Sequence, residues 1–129
     1  GLELLISDGP PGIGCPVIAS MGGVNGVIVI VEPSKSSIHD MERVLTLCKH
    51  FSIKPLVVIN KFDLNLELTE EINQRIEELM ITILGRIPMD KTFYEAQLQS
   101  KPVTEFQDSE AARQLKRIWQ NLEKELQQL

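Results

Sequence analysis

With 129 residues, 43% of them hydrophobic, the chain can bury the core of one domain but not obviously of two. A formal net charge of −5 supplies no basic field, so neither DNA nor RNA is an expected partner. Aromatic residues make up only 5%, which argues against stacking platforms and aromatic cages and leaves Trp119 and Tyr94 as fillers of core or surface.

In chain order, Leu2 to Ser7 is a nearly continuous apolar run halted by Asp8-Gly9-Pro10-Pro11-Gly12, the pattern of a buried strand closed by a turn. Gly26 to Val31 (GVIVIV) repeats it and stops at Glu32-Pro33, and Pro55 to Asn60 (PLVVIN) repeats it again before Lys61-Phe62-Asp63. Between these two, Ser37 to Phe51 sets Met41, Val44, Leu45, Cys48 and Phe51 on one helical face, with Ser36 or Ser37 as N-cap and Asp40 in the first turn. A second helix is expected behind Thr69-Glu70-Glu71, with Thr69 as N-cap and Ile72, Ile76, Leu79, Met80 and Ile83 at helical spacing. Leu84 to Ile87 reads as a fourth strand ending at Pro88-Met89-Asp90, followed by a short helix around Phe93 to Gln99. Ser109 caps a last helix, about 109–127, whose stripe of Ala112, Leu115, Ile118, Trp119, Leu122 and Leu126 suits packing on a sheet. Its basic residues are offset by Glu110, Glu123 and Glu125, so a membrane-targeting tail is not the expected role. Alternating strands and helices imply right-handed parallel crossovers, hence an α/β fold built on an open, mostly parallel sheet with flanking helices, in one domain spanning 1–129.

Such sheets bind ligands outside the carboxyl ends of their strands, so the informative residues are Asp8 to Gly12, Glu32-Pro33, Asn60 to Asp63 and Pro88 to Asp90. An acid at a strand end before a glycine-containing loop suits a water-mediated Mg²⁺ site, although the same pattern also serves turns and helix caps. Asn60-Lys61-Phe62-Asp63 offers an amide for a ring nitrogen, a lysine stem along a base and a carboxylate for base N–H groups, although a polar turn needs the same residues. His39 and His50 lie about three turns apart on one helix, too far to share a metal, and are read as surface residues. Cys15 and Cys48 lack CxxC spacing and read as reduced thiols. No apolar run approaches the roughly 20 residues of a membrane-spanning helix, and no signal-peptide pattern is present, so a cytoplasmic protein is expected.

Taken in register, LLISDGPPGIG at Leu4 to Gly14, VIVIVEPSKSSIHDMERV, VVINKFDLN, GRIPMD and Phe93 to Val103 resemble the MinD/ParA/nitrogenase-iron-protein superfamily of P-loop ATPases. The likeness is greatest to MinD-type ATPases that carry a ferredoxin-like insertion, and it covers Leu4 to about Phe106. It implies that Asp8, the acid of the second switch or Walker B, holds Mg²⁺ through water and that Gly12 offers its N–H to the γ-phosphate. It also implies that Asn60 meets adenine, that the backbone of Pro88, Met89 and Asp90 closes the other side of the base, and that Glu32-Pro33 is a shaping turn. Lys61 and Asp63 belong to the same loop, and in GTP-binding relatives of the P-loop class such an aspartate reads guanine.

The sequence departs from that family in two ways. It contains no GxxxxGK(S/T) loop or lysine-bearing variant, and Gly22-Gly23-Val24-Asn25 lacks the lysine and hydroxyl that would substitute for one. The cysteine-rich insertion and the CxxC pair that iron–sulfur carriers place after the position of Asn60 are also absent, so no cluster is expected on this chain. The resemblance therefore implies the C-terminal half of a P-loop domain without its P-loop strand. No catalytic set is complete here. ATP and Mg²⁺ belong to a parent ATPase, and neither is expected to bind this chain tightly. Two further readings stand beside it: a GTP-binding piece of the same class through NKxD, or a nucleotide-free α/β interaction module. In the family, the P-loop strand lies between those ending at Asp8 and Glu32. Its absence predicts either direct pairing of those strands or an edge filled by a partner, whether a second copy or the missing N-terminal half.

Overall fold

Three aliphatic runs form the sheet in the computed structural model, which describes residues 4–7 and 24–128. They are β1 (Gly26–Val31), β2 (Lys54–Asn60) and β3 (Thr82–Ile87), all parallel in the order β1-β2-β3. Helix α1 (Lys35–His50) crosses from β1 to β2, and α2 (Leu66–Glu78) crosses from β2 to β3. After β3 come two short helices, α3 (Thr92–Leu98) and α4 (Val103–Phe106), and then the long α5 (Glu110–Leu126). The expected α/β class with a parallel sheet is what the chain adopts. No helix among the described residues is long and apolar enough to cross a membrane.

Period-two alternation along β2 sends its side chains to two cores. On one face Val57 and Ile59 join Val29, Val31, Met41, Leu45, Ile72 and Ile76, beneath α1 and α2. On the other, Leu56 and Val58 join Leu84, Ile87, Ala111, Ile118 and Leu122, beneath α5. Helix α5 comes so near β3 that a Cβ at Gly85 would stand 2.6 Å from Cγ1 of Ile118, so the strand needs glycine there. Asn121 donates to the Leu84 carbonyl at 2.7 Å and Glu125 pairs with Lys54 at 2.7 Å, fixing the helix along its length. Trp119, expected on the buried stripe, is half-exposed.

The helix starts differ from expectation because polar side chains near them are already engaged. Ser34, not Ser36 or Ser37, caps α1 by accepting the Ser37 N–H at 3.2 Å. The Ser37 hydroxyl is taken up by the Glu32 N–H at 2.9 Å, and Asp40 falls beyond the first turn. Likewise Asn65, not Thr69, caps α2 through the Leu68 N–H at 3.0 Å. Thr69 is buried, its hydroxyl donating to the Phe62 carbonyl at 2.7 Å. Ser109 caps α5 as expected, accepting from the Ala112 N–H at 3.1 Å.

Three helices end in one geometry. After α1, α2 and α3 the chain passes through Ser52, Met80 and Ser100 at φ near +54 to +55°. In each case the next N–H reaches back to the helix: Ile53 to the Cys48 carbonyl, Ile81 to Ile76 and Lys101 to Ala96. This is the Schellman closure, with a side-chain-bearing residue where glycine is usual. It also corrects the expected apolar face of α2: Leu79 is its C-cap, Met80 is left-handed and 92% exposed, and Ile83 belongs to β3.

A larger correction concerns the beginning of the chain. Leu4 to Ser7, expected as part of a buried strand, have no regular secondary structure and are exposed, Leu5 and Ile6 by 77% and 64%. Among the described residues no strand pairs with them, and an apolar run without a ladder partner cannot satisfy its backbone as a strand. The outer edge of β1 is likewise unpaired among the described residues. Val29 and Val31, on the side of β1 under α1, are buried in the core, whereas Ile28 and Ile30 on the other side are 41% and 64% exposed.

The cost of a left-handed residue leads to a direct test. Replacing Met80 by glycine removes backbone strain of about 1–2 kcal/mol and gives back about 0.5–1 kcal/mol in unfolded-chain entropy. Met80→Gly is therefore expected to raise the urea midpoint, with a net gain of about 0.5–1 kcal/mol; a lowered midpoint contradicts this account of the helix end.

Candidate functional site

Parallel pairing brings the ends of all three strands to one rim. Val31 lies opposite Ile59, and Asn60 lies opposite Ile87, so Glu32 follows beside Asn60 and Pro88 beside Lys61. Lys61 turns the chain at φ 53°, and its ammonium stands 3.4 Å from the Glu32 carboxylate. Both groups are more than 40% exposed, so the pair contributes no more than about 1 kcal/mol. Its use is geometric, linking the first and second strand-end loops. Pro33 is buried, as suits a shaping turn.

The second loop continues as a 3₁₀ turn, Phe62–Leu64, closed by the Leu64 N–H to the Lys61 carbonyl at 3.0 Å. Its aromatic ring packs against the core under α1 and α2, and the Arg86 guanidinium lies 4.7 Å from the ring centroid. Asp63 then accepts the Met89 N–H at 2.9 Å, joining the second loop to the third across 26 residues of sequence. In the third loop Asp90 accepts the Thr92 N–H at 2.9 Å, and its carbonyl accepts from Phe93 at 3.2 Å, so Asp90 opens α3. The Thr92 N–H holds the Asp90 carboxyl below the usual carboxylate range against the opposing effect of burial, helped by the Thr92 hydroxyl, the Ala111 backbone and the Lys91 charge.

These loops enclose a half-open cleft of about 360 Å³, at the small end of the roughly 300–1,000 Å³ typical of ligand sites. Asn60 and Lys61 form one wall, and Pro88, Met89 and Asp90 form another. The rest comes from Lys91, Phe93 and Tyr94 at the start of α3. Five residues singled out from the sequence are thus brought together. Asp63 stands beside the cleft, bound to Met89, and is not among the residues lining it. Asp8, Gly12 and Cys15 lie outside the described residues.

Sequence reasoning missed Lys91, Phe93 and Tyr94. The low overall aromatic content led away from them, yet the chain's one tyrosine and one of its four phenylalanines stand in this cleft. The available signal was their place one helical start beyond Pro88-Met89-Asp90. Among the described residues, no group of three or more His, Cys, Asp or Glu side chains could hold a metal ion. Cys48 is buried in the aliphatic layer under α1, and that burial raises its thiol pKa, as in an inert structural cysteine.

Comparison with known proteins gives this geometry a family. A model of the ParA family described as NUBPL iron-transfer P-loop NTPase matches residues 1–123. An uncharacterized protein of Methanocaldococcus jannaschii is 44% identical over 63 residues, covering 49% of this chain and 23% of the relative. An uncharacterized ATP-binding protein of the same organism is 29% identical over 119 residues, 91% of this chain and 45% of that one. The chain thus spans less than half the length of either relative. Among solved structures, the cell division ATPase MinD of Pyrococcus furiosus superposes with a TM-score of 0.74 at 20% identity, covering 91% of this chain and 50% of that one. At that identity the likeness establishes the P-loop NTPase-like fold.

The depressed Asp90 carboxyl sets an acid dependence. Its folded pKa lies below the ordinary value of 3.8, so the stabilisation is fully present above that value and is lost as pH falls through the folded pKa. Asp90→Asn keeps an acceptor for Thr92 but loses the charge. Relative to this variant, the wild type is expected to be more stable at pH 6 and to lose that advantage progressively as pH falls below 3.8; a difference in urea midpoint that does not shrink on acidification contradicts the assignment.

Proposed function

We propose that this chain, which belongs to the family of NUBPL iron-transfer P-loop NTPases, supplies the base-binding side of an ATP site. The supporting observation is the convergence of Asn60, Lys61, Pro88, Met89 and Asp90 on one cleft at the carboxyl rim of a parallel sheet. In this reading the Asn60 side-chain amide hydrogen-bonds the adenine edge, and the Pro88–Asp90 backbone closes over the opposite side. Lys61, held over the rim by Glu32, lays its stem beside the base. Phe93 and Tyr94 add flat apolar surface to a site that needs it. ATP is preferred because a relative matching 91% of the chain is named an ATP-binding protein.

The phosphate end of the site is proposed to be shared. Asp8 is assigned to Mg²⁺ through water and Gly12 to the γ-phosphate by their places in the DGPPG segment. The sequence contains no lysine-bearing glycine loop, and the principal phosphate cradle is assigned in this reading to a segment other than these 129 residues. Two observations support a half-domain of this kind: matched relatives are more than twice as long, and β1 leaves Ile28 and Ile30 uncovered. A continuous aliphatic run such as GVIVIV is the pattern of a strand covered on both faces. A further strand beside β1 and a layer over Ile28 and Ile30 would complete the sheet. Bound Mg²⁺–ATP would supply a transferable γ-phosphoryl group, and this chain alone is proposed to bind it weakly and not to hydrolyse it.

Calorimetric titration tests the site. ATP is expected to give weak, saturable heat with the wild type, and Asn60→Ala to weaken it roughly tenfold, the worth of one well-placed hydrogen bond. Equal binding by the two proteins contradicts the role of Asn60. The uncovered β1 surface is expected to draw copies of the isolated chain into dimers or larger assemblies in sedimentation, and Ile30→Lys to return them to monomer. A wild-type chain that sediments as a clean monomer at all concentrations contradicts the half-domain reading.

A further inference from the structure

We propose that Asp63 is a positioning residue of the base cleft, whose carboxylate holds the Met89 backbone in place and is not the group that meets the base. The inference rests on the nucleotide reading above and assigns one residue of the NKFD loop a different task from its neighbours. Asn60 and Lys61, just before it in sequence, line the cleft, whereas Asp63 does not. Its Oδ1 instead accepts the Met89 N–H at 2.9 Å.

The chemistry favours this use of the carboxylate. Proline has no N–H, so Met89 carries the first backbone donor after Ile87 in the Pro88–Asp90 loop. An acceptor bearing full charge makes the stronger kind of hydrogen bond with it. The 3₁₀ turn that carries Asp63 is itself fixed, through Thr69 to the Phe62 carbonyl at 2.7 Å and through Arg86 against the Phe62 ring. The tether therefore runs from a held turn to the loop that follows the neighbouring strand, and it ties together the two loops that line the cleft. A carboxylate that reads guanine must present both oxygens to two adjacent N–H groups on one edge of the base. Asp63 turns Oδ1 to the Met89 N–H and is not among the residues lining the cleft, so it does not present both oxygens to a base lying there. The site then has no carboxylate reader in the NKxD position, and its selectivity falls to Asn60 and to the shape of the walls.

The test is amide exchange at Met89, followed by NMR in the wild type, Asp63→Asn and Asp63→Ala, with ATP and GTP titrated into each. Asparagine keeps an oxygen acceptor for the Met89 N–H but loses the charge and the second acceptor that guanine needs. Met89 exchange is expected to accelerate about tenfold in Asp63→Ala and to return to within about twofold of wild type in Asp63→Asn. ATP affinity is expected to follow the same order, with the ratio of ATP to GTP affinity unchanged across the three proteins. A selective loss of GTP binding in Asp63→Asn overturns the proposal, because it marks the carboxylate as a reader. Unchanged Met89 exchange and ATP affinity in Asp63→Ala overturn it too. If the alanine variant does not fold, the asparagine variant decides alone, through Met89 exchange and the nucleotide ratio. If the wild type binds neither nucleotide, the base-site reading fails and takes the positioning role with it, while Met89 exchange separately shows whether the tether exists.

Discussion

Parallel pairing with β2 at the centre is the constraint on which the rest of the molecule depends. Parallel strands present their carboxyl ends at one rim, and the register placing Asn60 opposite Ile87 makes neighbours of two loops 26 residues apart. A slip of one residue would reverse the inward and outward faces of β2, moving Val57 and Ile59 into the layer meant for Leu56 and Val58. Because both faces of β2 are buried by different helices, that slip is opposed from two sides. The cleft inherits its precision from this opposition. The surface contacts that finish it, from Lys61 to Glu32 and from Asp63 to Met89, are individually modest and act on loops already brought together.

Three of the four expected strands and their rim were legible in the sequence as aliphatic runs ending in polar residues; the run at Leu4 to Ser7 has the same pattern but no ladder partner among the described residues, and a strand needs both. Strand ends identified from those runs led to Asn60, Lys61 and Pro88 to Asp90 without knowledge of the contacts. Helix boundaries were less legible for a specific reason. Ser34, Ser36 and Ser37 are all capable caps, and the choice among them depends on the Glu32 N–H engaging Ser37. Helix ends were hidden because Ser52, Met80 and Ser100 take the left-handed position without glycine to announce it. Phe93 and Tyr94 escaped notice because a whole-chain average says nothing about where the few aromatic residues fall. The Asp63 tether links residues whose proximity arises only after the sheet forms.

The exposed apolar surface has a physical reading as well. Val29 and Val31 are buried in the core on one side of β1, while Ile28 and Ile30 on its other side are exposed. Leu5 and Ile6, too, lack the shelter their sequence pattern anticipates. A sheet extended beyond β1 would bring cover to both places. In the half-domain proposal the same extension carries the phosphate cradle, so one added segment would serve both the sheet and the site.

Where a nucleotide base lies on this chain is measured most directly by photolabelling with 8-azido-ATP followed by peptide mapping. Adducts confined to Asn60–Lys61 and Pro88–Tyr94, and suppressed by excess ATP, are the predicted result. Adducts on the outer face of α2 or α5, or spread along the chain and indifferent to ATP, would show that the rim of the sheet is not where the base sits.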